Sequence, residues 1–597
     1  MIELVVEALV PDTTEGSLAD LPGRNAHLDP QGIAFSKKAS AGSWSHVTWS
    51  EFAADVDSVA KGLIAQGVAV GDRVGLMSRT RYEWTLLDFA VWRAGGVVVP
   101  IYETSSADQV QWILGDSDAR VVVVETDAHR ATVEGARESL PVLEHIVQIE
   151  GGGVDGLREQ GQDVPESDLH DRSSSLDRSS ISTIIYTSGT TGRPKGCELT
   201  HDNFLALAEN AIEKLSGVVR ASGSSTLLFL PLAHVFARFI EVLCVAARAR
   251  MGHSSDIRSL LDDFATFRPT FVLAVPRVFE KIYNSAEAKA AADGKGKIFL
   301  RAVTVAIAHS EALDAGGPSL PLRVQHAVFD RLVYGKLRAA MGGQVSYAVS
   351  GGGPLGTRLG HFFRGIGVTI LEGYGLTETT APVTVNTPDK IKIGTVGPPL
   401  PGCGVRIDAD GEILTRGVGV FAGYHDNEQA THEAMDDDGW FHTGDIGELD
   451  ADGYLKITGR KKEIIVTAGG KNVAPAVLED RLRAHPLVSQ CIVVGEGKPF
   501  IGVLVTLDSE MWPLWAKAHG LADLSITEAP NTPVVLEALQ TAIDRANEAV
   551  SRAESIRKFA ILPDDFTEEN GYLTPSLKLK RPLVLKDFAD EVEKLYG

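Results

Sequence analysis

Short apolar runs alternate with amphipathic stretches through the first third of the chain. Residues 74–77 and 97–101 have the composition of strands, and helical periodicity follows them at 81–94 and 106–115; a further strand-like run covers 120–124. Strands that alternate with helices favour parallel sheets covered by helices. The pattern therefore predicts an α/β fold, and no internal repeat indicates a solenoid.

The chain of 597 residues exceeds the size of a single hydrophobic core, so we expect at least two domains. Residues 151–180 are polar and rich in Gly, Ser and Asp, which predicts an exposed linker. Residues 460–463 form a charged pivot between two apolar runs. We place the main boundary at this pivot, with an N-terminal domain at 1–459, a hinge at 460–463 and a C-terminal domain at 464–597.

Acidic residues outnumber basic ones, 79 to 57, for a net charge of −22. A protein that coats nucleic acid has the opposite balance, so we expect no nucleic-acid partner. The acidic balance does not exclude a small anionic ligand, because a local group of N–H donors and one lysine can hold phosphate on an acidic protein.

The cellular compartment is indicated by three features of the sequence. The four cysteines have no metal-binding or disulfide spacing, which favours a reducing compartment. The N-terminal stretch MIELVVEALV lacks the basic region of a signal peptide. The most apolar long window, 227–249, contains a proline and charged residues that a membrane span would tolerate poorly. We therefore expect a cytoplasmic protein.

The stretch YTSGTTGRPKG (186–196) is rich in hydrogen-bond donors and poor in packing groups. Its glycines let backbone N–H groups approach a ligand closely, and Lys195 adds a mobile positive charge. The spacing differs from a Walker A loop, in which Ser or Thr follows the lysine, because Gly196 follows Lys195 here. By itself the stretch indicates either a phosphate site or an ordinary solvated turn.

The stretch GYGLTET (373–379) offers the groups that a magnesium nucleotide requires. Tyr374 can stack on a planar base, and Thr377 can donate to a phosphate oxygen. Glu378 can coordinate Mg²⁺, a hard cation that prefers carboxylate, water and phosphate oxygens.

Two more turns add to this chemistry. SGGGP (350–354) exposes backbone, and GWFHTGD (439–445) ends on Asp445, which can accept hydrogen bonds from two ribose hydroxyls. Each stretch alone fits an ordinary turn. Their order and separation along one chain make a shared nucleotide site the better interpretation.

Together with GRKKEIIVTAGGKNVAP (459–475), these motifs resemble the adenylate-forming superfamily of acyl-CoA synthetases, peptide-synthetase adenylation domains and luciferases. PLAHVFAR (231–238), VPRVFEKI (275–282) and NGYLTPSLKLKR (570–581) are similar to the bacterial long-chain fatty acyl-CoA synthetase branch. The resemblance implies an α/β fold with a large N-terminal domain of stacked mixed sheets and covering helices, and a smaller, mobile α+β C-terminal domain.

The resemblance also implies a role for the motif residues. The 186–196 loop would hold the β- and γ-phosphates of ATP, Tyr374 would stack on adenine, and Thr190 and Glu378 would bind Mg²⁺. The implied catalytic residues are Lys195, Thr377, Glu378, Lys462 and Lys578. The implied nucleotide- and coenzyme-binding residues are Thr187, Ser188, Gly189, Thr190, Thr191, Gly192, Lys195, Gly351, Gly352, Gly353, Glu372, Gly373, Tyr374, Gly375, Thr377, Asp445, Ile457, Arg460, Gly469, Gly470, Lys471 and Lys578.

Lys578 matches the lysine that bridges the attacking carboxylate and the α-phosphate in this family. Leu577 stands before it, where the wider superfamily usually has glycine and long-chain synthetases commonly have a bulky residue. In this family the C-terminal domain rotates between two half-reactions, and Lys462 falls at the hinge position. Rotation would withdraw Lys578 and bring the glycine-rich turn at 467–472 to the site.

His234 lies in an apolar run, where a lone histidine is either a packed core residue or, as the resemblance implies, a wall of the acyl site. The residues at 227–245 would line a tunnel, in which a fatty chain gains about 0.8 kcal/mol per buried CH₂ group. The implied substrate-binding residues are His234, Val235, Phe236, Ser350 and Gly375.

The resemblance implies a long-chain-fatty-acid–CoA ligase (AMP-forming) that uses ATP, Mg²⁺ and coenzyme A. The products would be fatty acyl-CoA, AMP and pyrophosphate. Two alternatives stay open: an acyl-AMP ligase that delivers to a carrier protein, and a CoA ligase for another carboxylic acid. A homodimer and peripheral membrane contact also stay open, although no basic amphipathic anchor stands out in the sequence.

Overall fold

The computed structural model describes residues 2–40, 42–187, 193–256, 259–574 and 578–597. Within these ranges the chain forms four sheets up to residue 460 and two smaller sheets after it. The predicted α/β fold with mixed sheets is confirmed.

The largest sheet has seven strands, of which five run parallel and two, Lys195–Thr200 and Gly423–Tyr424, form an antiparallel edge. In spatial order its strands are Gly423–Tyr424, Lys195–Thr200, Ile181–Thr187, Val97–Ile101, Arg73–Met77, Ala119–Val124 and His145–Gln148. Helices Tyr82–Arg93 and Ala107–Asp116 connect its parallel strands. The predicted alternation of strands and helices is therefore confirmed to within one residue at each end.

Two mixed four-stranded sheets and one antiparallel five-stranded sheet complete the N-terminal part. The first contains Ser225–Leu228, Arg250–His253, Ile33–Ser40 and Ser43–Thr48, and the second Phe271–Ala274, Tyr347–Ser350, Thr369–Leu376 and Ala381–Val385. The antiparallel sheet contains Ile2–Val5, Cys403–Ile407, Glu412–Gly417, Phe441–Leu449 and Leu455–Arg460.

The α-helices of this part cover and connect the sheets. They are Leu21–Leu28, Trp49–Ala65, Tyr82–Arg93, Ala107–Asp116, Asp127–Gly135, Gly153–Gln160, Glu166–Ser174, His201–Lys214, Ser216–Val219, Val235–Ala247, Leu260–Phe267, Pro276–Ala292, Gly296–Asp314, Leu320–Phe329, Gly335–Ala340, Thr357–Gly365 and Glu428–Ala434. Across the described ranges we find no helix with the length and apolar content of a bilayer span.

The linker predicted at 151–180 is wrong, because helices Gly153–Gln160 and Glu166–Ser174 occupy most of it. Leu157 and Leu169 are almost fully buried in the N-terminal core. A few apolar residues at helical spacing are enough to anchor a segment whose composition is otherwise polar.

The helix Val235–Ala247 is buried along almost its whole length, yet it contains two ionisable residues, Arg238 and Glu241. Arg238 forms an ion pair with Asp88 at 2.9 Å, and both side chains are almost fully buried. Burial and the neighbouring Asp88 carboxylate raise the pKa of Glu241 well above its usual value, which favours its protonated form. The Arg238–Asp88 pair fixes this helix in place, because removing one partner of a buried pair costs about 3–5 kcal/mol.

The C-terminal part has its own core, which begins at Ile465, whereas the N-terminal core ends at Leu455. The change of core thus lies next to the predicted hinge at 460–463, whose role stays a prediction. The strands of the C-terminal part are Ile465–Val466, Asn472–Val473, Val488–Val494, Ile501–Leu507 and Ile556–Ile561. Its α-helices are Pro475–Arg483, Trp512–Ala518, Pro533–Asn547, Arg581–Asp587 and Ala589–Tyr596.

Candidate active site

A cavity of about 450 Å³ lies at the carboxyl ends of strands Tyr347–Ser350 and Thr369–Leu376, which are parallel neighbours. In α/β sheets the loops that follow this edge form the usual ligand site. Sixteen of the predicted site residues line the cavity: Thr187, Lys195, His234, Val235, Phe236, Ser350, Gly351, Gly352, Gly373, Tyr374, Gly375, Thr377, Glu378, Arg460, Lys462 and Lys578.

The remaining predicted residues fall into two groups. Ser188, Gly189, Thr190, Thr191 and Gly192 lie outside the described residues. Of those that the structure describes, the following do not line the cavity: Gly353, Glu372, Asp445, Ile457, Gly469, Gly470 and Lys471.

Lys195 and Glu378 meet at one end of the cavity through a shared neighbour, Tyr424. The Tyr424 hydroxyl donates a hydrogen bond to Glu378 at 2.9 Å, and the Lys195 ammonium lies 4.9 Å from the centre of the Tyr424 ring. A cation over an aromatic face is attracted by the negative ring face. Tyr424 therefore contacts both a carboxylate and an ammonium at this end of the cavity.

Both ends of the 186–196 loop are anchored by contacts with the helix Ala107–Asp116. The Tyr186 hydroxyl donates to Asp116 at 2.7 Å, and the Trp112 indole donates to the Pro194 carbonyl at 2.9 Å. The Arg193 guanidinium stacks 4.6 Å from the Trp112 ring. These contacts fix the points from which the loop leaves and re-enters the sheet.

Tyr374, Asp445 and Arg460 form a second polar group beside the glycines. Asp445 accepts from the Tyr374 hydroxyl at 2.7 Å and pairs with Arg460 at 2.9 Å. Burial and the Asp445 carboxylate raise the pKa of Tyr374 well above its usual value, so the phenol stays a donor. A carboxylate has about four acceptor sites, so Asp445 retains capacity for further hydroxyl groups.

Gly375 is required by the close approach of two strands. A Cβ atom at this position would lie 1.5 Å from the Ala381 carbonyl oxygen of the neighbouring strand. Any side chain here would separate Thr369–Leu376 from Ala381–Val385 and displace Tyr374 and Thr377.

His234 precedes the helix Val235–Ala247, and its Nδ1 accepts a hydrogen bond from the Phe236 N–H at 3.2 Å. In a neutral ring this leaves the proton on Nε2. Burial, and to a lesser degree the nearby charge of Lys578, lower the pKa of His234 to about 3. The ring is therefore neutral at ordinary pH and can donate to a carboxylate in the cavity.

Beyond His234 the cavity becomes apolar. One face of the helix Val235–Ala247 supplies Val235, Phe239, Ile240 and Leu243, and residues from neighbouring elements close the wall: Ala211, Leu215, Val218, Val219, Phe271, Leu273, Val385 and Leu400. A wall of this kind suits an alkyl chain, because burial of apolar surface is its main source of binding free energy.

Lys578 reaches the same cavity from the C-terminal part. Its N–H donates to the Thr574 hydroxyl at 3.0 Å, and its carbonyl accepts from the Thr574 N–H at 2.8 Å. Enclosure by protein and the nearby Arg460 lower the pKa of Lys578, while neighbouring carboxylates act in the opposite direction. The charge of Lys578 thus interacts both with the charged groups at the polar end of the cavity and with His234.

The orientation of the C-terminal part is held by two ion pairs with the helix Pro276–Ala292. Arg277 pairs with Asp508 at 2.8 Å and Lys281 with Glu510 at 2.7 Å. In this orientation the turn at 467–472 is held within the C-terminal part: Ala468 donates to the Lys498 carbonyl at 2.9 Å, and Lys471 pairs with Glu554 at 3.3 Å.

Sequence reasoning missed several polar cavity residues. His442, Thr443 and Gly444 lie within the GWFHTGD motif and Glu463 within the hinge, so the motifs themselves pointed to them. Tyr424 had no such signal, because it reaches Lys195 only through the pairing of Gly423–Tyr424 with strand Lys195–Thr200. Tyr102, Arg193 and Thr574 also line the cavity.

Two family models match the chain: the AMP-binding enzyme model over residues 23–425 and the AMP-binding enzyme C-terminal domain model over residues 462–597. The chain belongs to the AMP-binding enzyme family. The long-chain-fatty-acid–CoA ligase FadD15 of Mycobacterium bovis is 53% identical to it over 95% of both chains. Long chain acyl-CoA synthetase 7, peroxisomal, of Arabidopsis thaliana is 32% identical over 95% of this chain and 84% of its own length.

Solved structures show the same fold at low sequence identity. The anthranilate CoA ligase AuaEII in complex with anthranoyl-AMP has a TM-score of 0.73 at 21% identity and covers 96% of this chain and 98% of its own. The adenylation and carrier didomain of a carboxylic acid reductase from Segniliparus rugosus has a TM-score of 0.74 at 20% identity and covers 98% and 82%. This AMP-binding enzyme therefore has the two-part architecture of its family.

The buried carboxyl group of Glu372 makes the stability of the protein depend on pH. It is buried beneath the cavity and accepts a hydrogen bond from the Leu355 N–H at 3.3 Å. Burial raises the pKa of Glu372 from 4.5 to about 7. Between pH 4.5 and about 7, the Glu372 carboxyl group is therefore protonated in the folded state and ionised in the unfolded state. The free energy of unfolding consequently falls as pH rises through this range, by about 3 kcal/mol in total.

The variant Glu372→Gln keeps the shape and removes the titration. We expect its thermal midpoint to match the wild type below pH 4.5 and to exceed it above pH 7. Thermal unfolding of both proteins across this range is the measurement. A constant difference between them at all pH values would contradict the buried, titrating carboxyl group.

Proposed function

We propose that the chain is an ATP-dependent long-chain fatty acid:CoA ligase that forms acyl-AMP and then acyl-CoA. The observation that carries the proposal is a single cavity with a cationic, hydroxyl-rich end, an apolar extension, and Lys578 between them. The identity to long-chain-fatty-acid–CoA ligases over nearly the whole chain supports the acyl specificity.

In the first half-reaction a carboxylate oxygen attacks the α-phosphorus of ATP, and the bond to the β-phosphate oxygen breaks to release pyrophosphate. Repulsion opposes this step: two like charges at about 4 Å cost about 1 kcal/mol in water and about 4 kcal/mol at an effective dielectric near 20. Fixed positive charge and oriented donors must offset this cost.

The cavity residues divide this task. Lys195 would bind the β- and γ-phosphates, and Thr377 would donate to the α-phosphate. His234, through its Nε2 proton, would orient the carboxylate. Lys578 would bind both the carboxylate and the α-phosphate, so that one ammonium offsets the repulsion between the two reacting groups.

The nucleotide would bind beside the glycines. Tyr374 would stack on adenine against Gly351 and Gly352, which leave room for a planar base. Asp445 and Arg460 would bind the ribose hydroxyls, since Asp445 has acceptor capacity beyond the hydrogen bond that it accepts from the cavity residue Tyr374. Gly353, Glu372, Gly373 and Ile457 would support this pocket from behind.

The residues present fit Mg²⁺ as the metal. Glu378 supplies one carboxylate, and Mg²⁺ usually binds one or two carboxylates plus water and phosphate oxygens; Thr190 would supply a hydroxyl. Among the described residues no larger group of His, Cys, Asp or Glu forms a metal site. Bound Mg²⁺ would neutralise phosphate charge, while Tyr424 holds the Glu378 carboxylate in place.

In the second half-reaction the thiol of coenzyme A attacks the acyl carbon, and AMP leaves. Rotation at 460–463, with Lys462 at the pivot, would withdraw Lys578. The turn with Gly469, Gly470 and Lys471 would then reach the cavity, and its glycines would let pantetheine pass close to backbone.

The proposal is tested by supplying ATP, Mg²⁺ and acids of increasing chain length, with and without coenzyme A. We expect pyrophosphate release and thioester formation to rise together with long-chain acids, because each CH₂ adds buried apolar surface. Pyrophosphate release without thioester would instead identify an acyl-AMP ligase that delivers to a carrier protein. Preference for short or aromatic acids would contradict the acyl assignment.

The metal assignment is tested with Glu378→Gln and Tyr424→Phe. We expect Tyr424→Phe to raise the Mg²⁺ concentration for half-maximal pyrophosphate release about tenfold, as for loss of an outer hydrogen bond to a ligand. Glu378→Gln should raise it further, and Glu463→Gln, at the same cavity, should change it little. Wild-type magnesium dependence in Glu378→Gln would remove Glu378 from the metal site.

A further inference from the structure

The helix Leu320–Phe329 has no buried residue, although it is strongly apolar. Leu320, Val324 and Val328, followed by Leu332 in the next turn, each expose between 51% and 76% of their surface. Residues four apart lie on one face of an α-helix, which covers Leu320, Val324 and Val328, and Leu332 follows in the π-helical turn Asp330–Tyr334. We call these four residues the apolar stripe. Contiguous apolar side chains at a soluble surface usually mark a binding site.

A second set of exposed apolar residues adjoins the stripe. Ile298 and Leu300, at the start of the helix Gly296–Asp314, are each about half exposed. On the same helix Arg301 donates to Gln325 at 3.2 Å, which joins the outer surfaces of the two helices. The apolar surface therefore extends across both helices.

The charges around the stripe have the opposite sign to the protein as a whole. Residues 296–340 contain six Lys or Arg and three Asp or Glu, whereas the chain has a net charge of −22. Two of the three carboxylates are already paired, Asp314 with Arg364 and Asp330 with Arg338, both at 2.6 Å. The remaining carboxylate, Glu311, lies near the C-terminal end of the helix Gly296–Asp314, whereas Ile298 and Leu300 lie at its start.

Apart from Arg338, the cations of this region have no carboxylate partner among the residues that the structure describes. Arg323 donates only to the Pro318 carbonyl, at 3.0 Å, and Arg301 only to Gln325. Lys297, Arg331 and Lys336 are exposed and make no hydrogen bond or ion pair within the described chain. Elsewhere on this acidic protein most arginines are paired, so this group of free cations is suited to an external anion.

We propose that the apolar stripe and its cations dock on an anionic phospholipid surface. The apolar side chains would enter the boundary between headgroups and acyl chains, and Arg and Lys would extend along it to the phosphates. A second copy of the chain fits this face less well. In a symmetric dimer each stripe meets the same surface, so the same unpaired cations would be brought together without carboxylates to neutralise them.

Docking on a lipid surface is independent of the proposed catalytic function. A lipid surface would present membrane-dissolved acids to a fatty acid ligase, but docking is measured here without ATP, coenzyme A or acid. Loss of docking and loss of catalysis are thus separate results.

The test is sedimentation of the full chain with vesicles of phosphatidylcholine alone or mixed equally with phosphatidylglycerol. We expect binding to the mixed vesicles that weakens as salt increases. The variants Val324→Asp/Val328→Asp and Arg331→Glu/Lys336→Glu should each weaken it about tenfold or more, since one removes apolar contact and the other reverses charge.

The control is Val534→Asp/Leu536→Asp, two exposed apolar positions on the helix Pro533–Asn547, which should bind as the wild type does. Thermal unfolding and activity on a water-soluble acid establish that each variant is folded. Wild-type binding by both stripe variants, or no binding of the wild type to mixed vesicles, would overturn the proposal. A wild-type dimer that ignores vesicles and dissociates in Val324→Asp/Val328→Asp would make the stripe a self-association surface instead.

Discussion

Repulsion between a carboxylate and a triphosphate is the constraint on which the rest of this protein depends. The chain is acidic overall, so the positive charge that offsets the repulsion must be concentrated locally. Lys195, Arg460 and Lys578 line one cavity, although they belong to segments far apart in sequence. The stacked sheets and the separate C-terminal core are the means by which these cations converge.

The cations that line the cavity are fixed to two different cores. Lys195 belongs to a strand of the large sheet, whereas Lys578 is fixed to the C-terminal core through Thr574. Contacts between the two parts, among them the Arg277–Asp508 ion pair, hold the present orientation. The helix Val235–Ala247, by contrast, is fixed by its buried Arg238–Asp88 pair, which suits a permanent wall of the acyl cavity.

The sequence allowed prediction of features that depend on local rules. The alternating strands and helices at 73–124 follow from the periodicity of apolar residues along the sequence. Motifs such as GYGLTET are recognised from glycines and hydrogen-bonding side chains that lie next to each other in the sequence. The helices within 151–180 were missed because composition hid the few buried leucines, Leu157 and Leu169. Tyr424 and the apolar stripe were missed because only long-range packing determines which strands pair and which helix face is left outward.

The most direct test of the central claim is to measure the two half-reactions separately in Lys578→Ala, with Lys580→Ala as the control. Pyrophosphate release reports the first half-reaction, and thioester formation from preformed acyl-AMP reports the second. We expect Lys578→Ala to slow the first at least about a hundredfold, as for loss of one oriented donor to a developing charge, and to leave the second nearly unchanged. Equal loss in both half-reactions would contradict the role of Lys578 as the cation that joins the two anions.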